Sequence, residues 1–193
     1  MKDDLELWEE FRLGIESSFK SLFDSYYQQL FNYGHKFCVE DEVLEDSVQE
    51  LFIKLWKNRE RLNSTPSVKN YLFKAFRRVL FRKLAEQHRF SGIKAEFPFE
   101  IELAHDYTMI SEERMRSLRA QLARALEKMS PRQREIIHLK FFEDMSYEEI
   151  ARVMNLSPKS TYKLLYRAID SLKEHMSPFN LLILLSLLKN MSN

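Results

Sequence analysis

Apolar side chains recur every three or four residues along most of this chain, and no stretch shows the strict alternation that is typical of strands. Only three glycines and five prolines interrupt its 193 residues. Because these two residue types end helices and form turns, their scarcity favours long helices joined by few loops. The pattern therefore predicts an all-α protein, long enough for one ordinary domain or two small ones.

The helical pattern is lost between residues 91 and 112, where a glycine and a proline fall among acidic side chains. Such a break between two periodic regions predicts a linker. We therefore expect two small helical domains, residues 1–90 and 113–175, followed by an apolar tail at 176–193. The tail is shorter than the roughly 20 apolar residues of a membrane span, so we expect it to stabilise the second domain or bind a partner.

The first domain is expected to begin with one amphipathic helix over residues 5–37, whose inward stripe includes Leu5, Ile15 and several aromatic residues. A second helix over residues 40–62 is acidic at its start and basic at its end, which suits the helix dipole. One face of this helix is unusually apolar, so the helix is either buried on two sides or also meets a partner, and we expect the face to support docking. That face is formed by Val48, Leu51, Phe52, Leu55 and Trp56.

Residues 69–89 carry seven Lys or Arg residues against one Glu, with Tyr71, Phe73, Phe76 and Phe81 interleaved. Basic and aromatic side chains on one helix can bind phosphates and stack on unpaired bases. A solvated basic face beside a buried aromatic stripe would give the same pattern, and we expect Phe76 to be buried. We interpret the basic face as functional, because a second such face occurs near the C-terminus of a chain whose net charge is only +1.

Residues 146–173 contain two helix starts separated by a short turn. Ser146 with Glu149 forms a capping box, and Ser157 followed by Pro158 marks the second start. The second helix is expected to bury Thr161, Leu165, Ala168 and Leu172, and to expose Lys159, Ser160, Tyr162, Lys163 and Arg167. This is the helix-turn-helix pattern, whose second helix enters the major groove of DNA; an ordinary helical hairpin is the alternative.

The sequence contains no phosphate-cradling glycine loop and no grouped set of His, Cys or carboxylate residues. His35 and Cys38 lack further ligands at metal spacing, so a zinc site is not expected. We therefore predict a protein that is not an enzyme and needs no cofactor. The single cysteine excludes an internal disulfide and fits a reducing cytoplasm, and the acidic N-terminal residues do not resemble a secretion signal.

Three segments, in order, resemble those of bacterial sigma factors of the extracytoplasmic-function class, in the sigma-70 family. The family's helix that docks on the clamp of core RNA polymerase is similar to DSVQELFIKLWKNRERL, and its −10 recognition helix is similar to SVKNYLFKAFRRVLFRKL. The domain that reads the −35 element is similar to LEKMSPRQREIIHLKFFEDMSYEEIARVMNLSPKSTYKLLYRAI. The chain departs from the family pattern at Arg77-Arg78, where Arg-Asn is common, and at Arg82, where an acidic residue is common.

The resemblance implies a transcription initiation factor that binds core RNA polymerase, promoter DNA and an anti-sigma factor, without inserting into a membrane or acting on a small molecule. Residues 1–90 would be sigma domain 2 and residues 113–175 sigma domain 4. The exposed face of the second helix of the helix-turn-helix would read the −35 element. The resemblance assigns −10 recognition to Lys74, Arg77, Arg78, Arg82 and Lys83, and polymerase docking to Asp46, Gln49, Glu50, Phe52, Ile53 and Trp56.

Two other functional classes stay open. A free-standing transcriptional regulator would use the helix-turn-helix without polymerase, but this leaves the basic helix at 69–89 unexplained. A helical interaction protein that has lost DNA binding is the second alternative. It leaves the basic side chains of Lys163 and Arg167 unexplained.

Overall fold

The computed structural model describes residues 2–89, 97–101 and 112–191. Nine α-helices and one short 3₁₀ turn form the regular structure within these ranges, and no strand occurs among them. The predicted all-α fold is confirmed. The chain divides into two compact units, Met1–Glu96 and Phe97–Asn193, and the boundary falls inside the stretch that the sequence assigns to the linker.

The first unit contains α1 (Asp4–Arg12), α2 (Glu16–His35), α3 (Asp41–Asn58) and α4 (Val68–Arg89), with a 3₁₀ turn at Arg59–Arg61. Helix α3 packs against both α2 and α4. The centre of this unit consists of fully buried aliphatic and aromatic side chains: Leu30, Tyr33, Leu44, Val48, Phe73, Phe76 and Leu80. This packing places the acidic helix α3 directly beside the basic helix α4.

The single helix predicted for residues 5–37 is wrong, because the chain bends between α1 and α2. Gly14 lies at the bend with a φ of +89°, a conformation that residues with a Cβ atom rarely adopt. The flanking Leu13 is 82% exposed, and Leu5 and Ile15, which were expected in the inward stripe, are also exposed. The bend lets α1 pack against α2, and it places Trp8 4.9 Å from Tyr71 of α4, measured between ring centroids.

The apolar face of α3 is explained by packing within the first unit. Val48, Leu51, Phe52 and Leu55 are all buried. The Phe52 ring makes edge contacts with Phe23 of α2, at 5.0 Å between centroids. The alternative of a helix buried on two sides therefore accounts for these four residues, since a helix packed between two others needs a wide apolar face for the core alone. Docking through the remaining residue of the face, the half-buried Trp56, stays a prediction.

Ion pairs join α3 to α4 at the surface. Glu50 of α3 accepts a hydrogen bond from the guanidinium of Arg82, and its carboxylate also lies 2.5 Å from Lys54 Nζ. Lys83 Nζ lies 3.5 Å from a carboxylate oxygen of Asp46. Partial burial opposes ionisation of Glu50, but the hydrogen bonds from Lys54 and Arg82 outweigh it, so the pKa of Glu50 is lowered from its ordinary value of 4.5.

The second unit contains α5 (Glu112–Lys128), α6 (Pro131–Phe141), α7 (Tyr147–Met154), α8 (Pro158–His175) and α9 (Pro178–Met191). Helix α8 packs against α5, α6 and α7, and also contacts α9. Helix α6 begins at a second capping box, in which Ser130 Oγ accepts from the Gln133 amide and Gln133 Oε1 accepts from the Ser130 amide. Local capping thus defines where the helices around α8 begin.

The described part of the apolar tail belongs to α9 and packs on α6 and α8. The Ser177 amide donates to Gln121 Oε1 of α5 at 2.8 Å, and Asn180 and Leu184 are buried. Phe179 and Leu182 point outward. Within the described residues, no helix is both long and apolar enough to cross a membrane.

Most of the predicted linker lies outside the described residues, but residues 97–101 are described and one of them is anchored. The Phe99 side chain is fully buried. Arg134 of α6 donates to the Phe99 carbonyl oxygen at 3.1 Å, and the Phe99 ring packs against His138 at 5.5 Å between centroids. One aromatic residue thus anchors part of the predicted linker to α6, in a segment that has no periodicity.

We expect Phe99→Ala to destabilise the second unit by about 3–5 kcal/mol, because it leaves a cavity where a whole aromatic ring is buried. Both tryptophans, Trp8 and Trp56, lie in the first unit. Tryptophan fluorescence should therefore give an unchanged unfolding midpoint, while the far-UV dichroism of the whole chain shows a transition at lower denaturant. Tyr166→Ala, which removes an exposed ring from the same unit, is the control. An unchanged dichroism transition would contradict the anchoring role of Phe99.

We expect Glu50→Gln to change how the stability of the first unit depends on pH. The pKa of Glu50 is lower in the folded chain, so its ionised form stabilises the fold above about pH 5, and this contribution is lost as the pH falls through the lowered pKa. Wild type should be the more stable protein at neutral pH, and the difference should close in acid. Urea titrations followed by tryptophan fluorescence measure this, with Glu42→Gln on the same helix as the control. A difference independent of pH would exclude the carboxylate as its cause.

Candidate nucleic-acid interface

The helix-turn-helix is built from local capping interactions. Ser146 Oγ accepts from the Glu149 amide at 3.3 Å, and Glu149 Oε2 accepts from the Ser146 amide at 2.9 Å. Helix α7 ends at Met154 and is followed by Asn155, which has the left-handed φ of 52° that asparagine adopts more readily than most residues. Ser157 Oγ then accepts from the Ser160 amide at 3.2 Å and begins α8. Both predicted helix starts and the turn between them are confirmed.

Helix α8 divides into a buried stripe and an exposed face as the sequence predicts. The buried residues are Thr161, Leu165, Ala168 and Leu172. The exposed residues are Lys159, Ser160, Tyr162, Lys163 and Arg167. Sequence reasoning missed Tyr166, which is 66% exposed and lies one turn after Tyr162 beside Arg167. Continuing the outward spacing of three and four residues beyond Tyr162 would have identified it.

The exposed face of α8 carries positive charge that is not neutralised by its neighbours. Among the residues that the structure describes, Lys159, Lys163 and Arg167 form no ion pair within 4.0 Å. The first acidic residue of this helix is Asp170, which lies 4.0 Å from Lys173, beyond the exposed set. The first three turns of α8 therefore offer cations and hydroxyl groups to an anionic partner such as DNA.

A pair of stacked tyrosines joins the two helices of the motif. The rings of Tyr147, the first residue of α7, and Tyr162 of α8 lie 4.2 Å apart between centroids at an interplanar angle of 26°. Lys140 Nζ lies 5.7 Å from the centroid of the Tyr147 ring. A residue of α7 therefore helps to hold the Tyr162 side chain in its position on the outer surface of α8.

The aromatic residues of α4 are largely structural. Phe73 and Phe76 are fully buried, so neither can stack on a base in this structure. Tyr71 is half-buried, and its burial raises the pKa of its hydroxyl group. Burial was expected for Phe76; the suggestion that Phe73 could stack on bases is wrong.

The five basic residues predicted to bind the −10 element are not equivalent. Lys74 and Arg78 are exposed and form no ion pair with any described residue. Arg77 is half-buried, and its guanidinium lies 4.0 Å from the centroid of the Phe81 ring. Arg82 and Lys83 instead pair with the carboxylates of α3, and the hydrogen bond with Glu50 raises the pKa of Arg82. The two side chains of this set that form no ion pair, Lys74 and Arg78, thus lie in the N-terminal half of α4.

The residues predicted to dock on polymerase divide by exposure. Asp46, Gln49 and Ile53 are exposed, with Ile53 at 51%, and Trp56 is half-buried. Glu50 is only partly accessible, because it is engaged by Lys54 and Arg82. Phe52 is 3% exposed and belongs to the core, so its assignment as a contact residue is wrong.

A shallow groove lies beside Ile53 and Trp56, between the start of α2 and the end of α3. Its apolar surface comes from these two side chains and Phe19, and polar or charged residues form the remainder of its lining: Glu16, Ser17, Lys20 and Lys57. The Trp56 ring is held by the Arg59 guanidinium, 4.6 Å from its centroid. The exposed residues that were predicted to dock on polymerase therefore border an apolar surface that is already formed in this structure.

The parts of the chain that the structure describes contain no group of three or more His, Cys, Asp or Glu residues that could hold a metal ion. His35 Nε2 lies 3.9 Å from a carboxylate oxygen of Asp41. Burial raises the pKa of the Cys38 thiol, and the nearby carboxylates of Glu40 and Asp41 add to this. The hydrogen bond from the Glu40 amide opposes the rise without cancelling it, so the thiol stays protonated to higher pH than usual. These observations give no chemical role to the pair His35 and Cys38.

The two units correspond to two regions of one known family. The sequence model described as "Sigma-70 region 2" matches residues 22–90, which include α3 and α4. The model described as "Sigma-70, region 4" matches residues 119–172, which include the helix-turn-helix. Together the two matches cover more than half of the chain.

Similar proteins agree with these matches. The "ECF RNA polymerase sigma factor SigX" of Bacillus subtilis (strain 168) is 25% identical over 171 residues, covering 84% of this chain and 85% of the relative. A solved structure of CnrH in complex with the cytosolic domain of CnrY has a TM-score of 0.59 at 20% identity, covering 89% of this chain and 95% of that one. The sigma factor RpoE of Bartonella quintana, in complex with the anti-sigma factor NepR, has a TM-score of 0.57 at 20% identity, covering 81% and 94%.

The family matches, the relative and the shared fold all lead to the same identification. The chain belongs to the sigma-70 family, as a sigma factor of the extracytoplasmic-function class that directs RNA polymerase to promoters.

Proposed function

We propose that this sigma factor reads the −35 element with α8, holds the opened −10 strand with α4 and docks on core RNA polymerase through the exposed part of α3. The observation that carries the proposal is the unpaired basic face on the first turns of α8, in a helix-turn-helix whose capping interactions are complete. The protein acts in the cytoplasm, where polymerase and promoter DNA are, and it catalyses no reaction of its own.

Recognition of the −35 element is supported by which part of α8 carries the exposed face. The residues that enter a major groove are those of the first turns of a recognition helix, and the exposed set begins at Lys159, the second residue of α8. Long basic side chains such as Lys163 and Arg167 can reach guanine edges or phosphates. Ser160 and Tyr162 add hydroxyl groups that can donate or accept at either kind of site.

The opened −10 strand is assigned to the N-terminal half of the basic face of α4. Lys74 and Arg78 stand one helical turn apart on its exposed surface, a spacing at which both can bind one strand. Arg77 extends this face and is held against the Phe81 ring. Because Phe73 and Phe76 are buried, we propose that this helix binds the strand chiefly through phosphates, which makes binding sensitive to salt.

The ion pairs of Arg82 and Lys83 favour a different role from the one that the resemblance implies. The two residues form ion pairs with the α3 carboxylates of Glu50 and Asp46, so their positive charge is neutralised within the first unit. We propose that they hold α4 in register with α3, and that a direct contact with DNA is secondary.

Docking on polymerase is assigned to Asp46, Gln49, Ile53 and Trp56. A half-exposed isoleucine beside a tryptophan is the kind of apolar anchor that dominates protein interfaces, and the neighbouring polar groups form a rim. Charge reversal at Glu50 is a poor test of this surface, because a cation there would face Lys54 and Arg82 within the protein itself.

An anti-sigma factor is a further proposed partner. The Bartonella quintana sigma factor of similar fold was solved in complex with an anti-sigma factor. The exposed docking surface of α3 and the exposed face of α8 are both needed for initiation in our proposal. A protein that covers either of them would therefore hold this factor inactive.

Alanine at Lys163 or Arg167 should weaken binding of the holoenzyme to duplex DNA carrying the −35 element by about ten- to a hundredfold, since one good base contact is worth roughly 1–3 kcal/mol. Alanine at Lys74 or Arg78 should leave this binding largely intact and reduce strand opening, with a larger defect as salt rises. Duplex binding is measured by gel shift, and opening by permanganate reactivity of unpaired thymines.

The control for these four variants is Lys173→Ala, which removes one exposed positive charge from α8 beyond the exposed set. It should change neither measurement by more than about twofold. If all four variants weaken duplex binding and opening in the same proportion, separate sites for the two promoter elements are excluded. If the protein alone binds its site as tightly as the holoenzyme does, a free-standing regulator is the better description.

Ile53→Ala should weaken binding to core RNA polymerase by roughly five- to thirtyfold, or about 1–2 kcal/mol, because it removes an apolar anchor from the proposed interface. Leu13→Ala is the matched control, since Leu13 is an exposed aliphatic residue of the same unit at the α1–α2 bend. Affinity is measured by fluorescence anisotropy of labelled protein with purified core enzyme. Unchanged affinity for both Ile53→Ala and Gln49→Ala would place docking on another surface.

A further inference from the structure

The stack of Tyr147 on Tyr162 gives the recognition helix a support that no part of the proposed function uses. Tyr162 is half-exposed, at 50%, on the face of α8 that we assign to DNA. The ring of Tyr147 covers one side of it, 4.2 Å away between centroids and nearly parallel. Stacked aromatic rings attract one another beyond the burial of their surface, so this contact favours one orientation of Tyr162.

Tyr147 is itself held in place by α6 and its own helix start. Lys140 Nζ donates to the Met145 carbonyl oxygen at 3.0 Å and lies 5.7 Å from the centroid of the Tyr147 ring. An ammonium group over an aromatic face is attracted to the ring. Tyr147 also follows Ser146, whose capping box fixes the backbone at this point. Three elements of the second unit therefore determine where the Tyr162 ring lies.

An exposed tyrosine without such support samples several rotamers, and binding must select one of them at an entropic cost. The stack restricts this freedom before DNA arrives. A tyrosine held at the start of a recognition helix presents its hydroxyl group, and the free edge of its ring, in a fixed direction toward the groove.

We propose that Tyr147 is a positioning residue that orients Tyr162 to discriminate one base pair of the upstream promoter element. The inference rests on the proposed role of α8 at the −35 element, and it adds to that role a specificity mechanism based on two tyrosines. Tyr147 acts through Tyr162 and needs no contact of its own with a base.

The experiment uses the full-length protein assembled with core RNA polymerase and a library of promoter duplexes randomised across the upstream element. Wild type, Tyr162→Ala, Tyr147→Ala, Tyr147→Phe and Tyr147→Leu are compared for the bases they select and for affinity to the duplex that wild type selects. The position faced by Tyr162 is the one at which Tyr162→Ala loses its preference.

Tyr147→Ala and Tyr147→Leu should lose preference at that same position and bind the selected duplex about two- to tenfold more weakly. Tyr147→Phe keeps the stacked ring and should behave as wild type. The double variant Tyr147→Ala/Tyr162→Ala should bind no more weakly than Tyr162→Ala alone, because Tyr147 acts only through Tyr162. Leu182→Ala is the control for loss of an exposed apolar side chain from the same unit, and it should leave the preference at this position intact.

A role of Tyr147 in stability alone predicts a uniform loss of affinity that keeps the base preference, and that result would overturn the proposal. Retention of both affinity and preference by Tyr147→Leu would also overturn it, as would a Tyr162→Ala variant that selects the wild-type sequence. These outcomes differ from failure of the proposed function, in which the wild-type holoenzyme itself selects no upstream element.

Discussion

The packing of the second unit depends on the one stripe of side chains that α8 buries. Thr161, Leu165, Ala168 and Leu172 are all buried, in a helix packed against α5, α6 and α7. Once these four residues are fixed inward, the geometry of the helix sends Lys159, Lys163 and Arg167 outward. The same packing that stabilises the unit therefore aims the basic face, and no separate interaction is needed to present it.

Features that depend on neighbouring residues in the sequence could be predicted well. The capping box at Ser146, the start at Ser157 and the division of α8 into two faces all follow from spacings of three and four residues, and all are found in the structure. The bend at Gly14 is equally local, and it could have been predicted from the glycine itself. It was missed because the apolar spacing continues across it, although Leu13 and Ile15 are exposed.

Features that depend on distant residues could not be predicted in the same way. Periodicity places Phe52 on an apolar face but does not say whether another helix covers it, and Phe23 of α2 does. Phe99 stands in a segment without periodicity, and its burial depends on Arg134 and His138, more than thirty residues away. Sequence periodicity predicts which side of a helix is apolar. Whether that side is covered by another helix depends on contacts between residues that are far apart in the sequence.

The departure at Arg82 shows how such a contact changes the meaning of a residue. Read along α4 alone, Arg82 adds to a run of basic side chains that is suited to phosphates. In the folded unit it pairs with Glu50, which lies thirty-two residues earlier, and Lys83 pairs with Asp46 in the same way. Two carboxylates of α3 thus neutralise Arg82 and Lys83 of the α4 basic face.

This pairing also explains how a chain of net charge +1 can present strongly basic surfaces. Acidic residues are collected on α3, where they meet one part of α4, while Lys74, Arg78 and the first turns of α8 stay without acidic partners among the described residues. Electrostatic attraction to DNA falls off within about 8 Å at physiological salt, so local charge governs binding more than the total does. Unpaired cations, and not the count of lysines and arginines, therefore mark the surfaces that meet DNA.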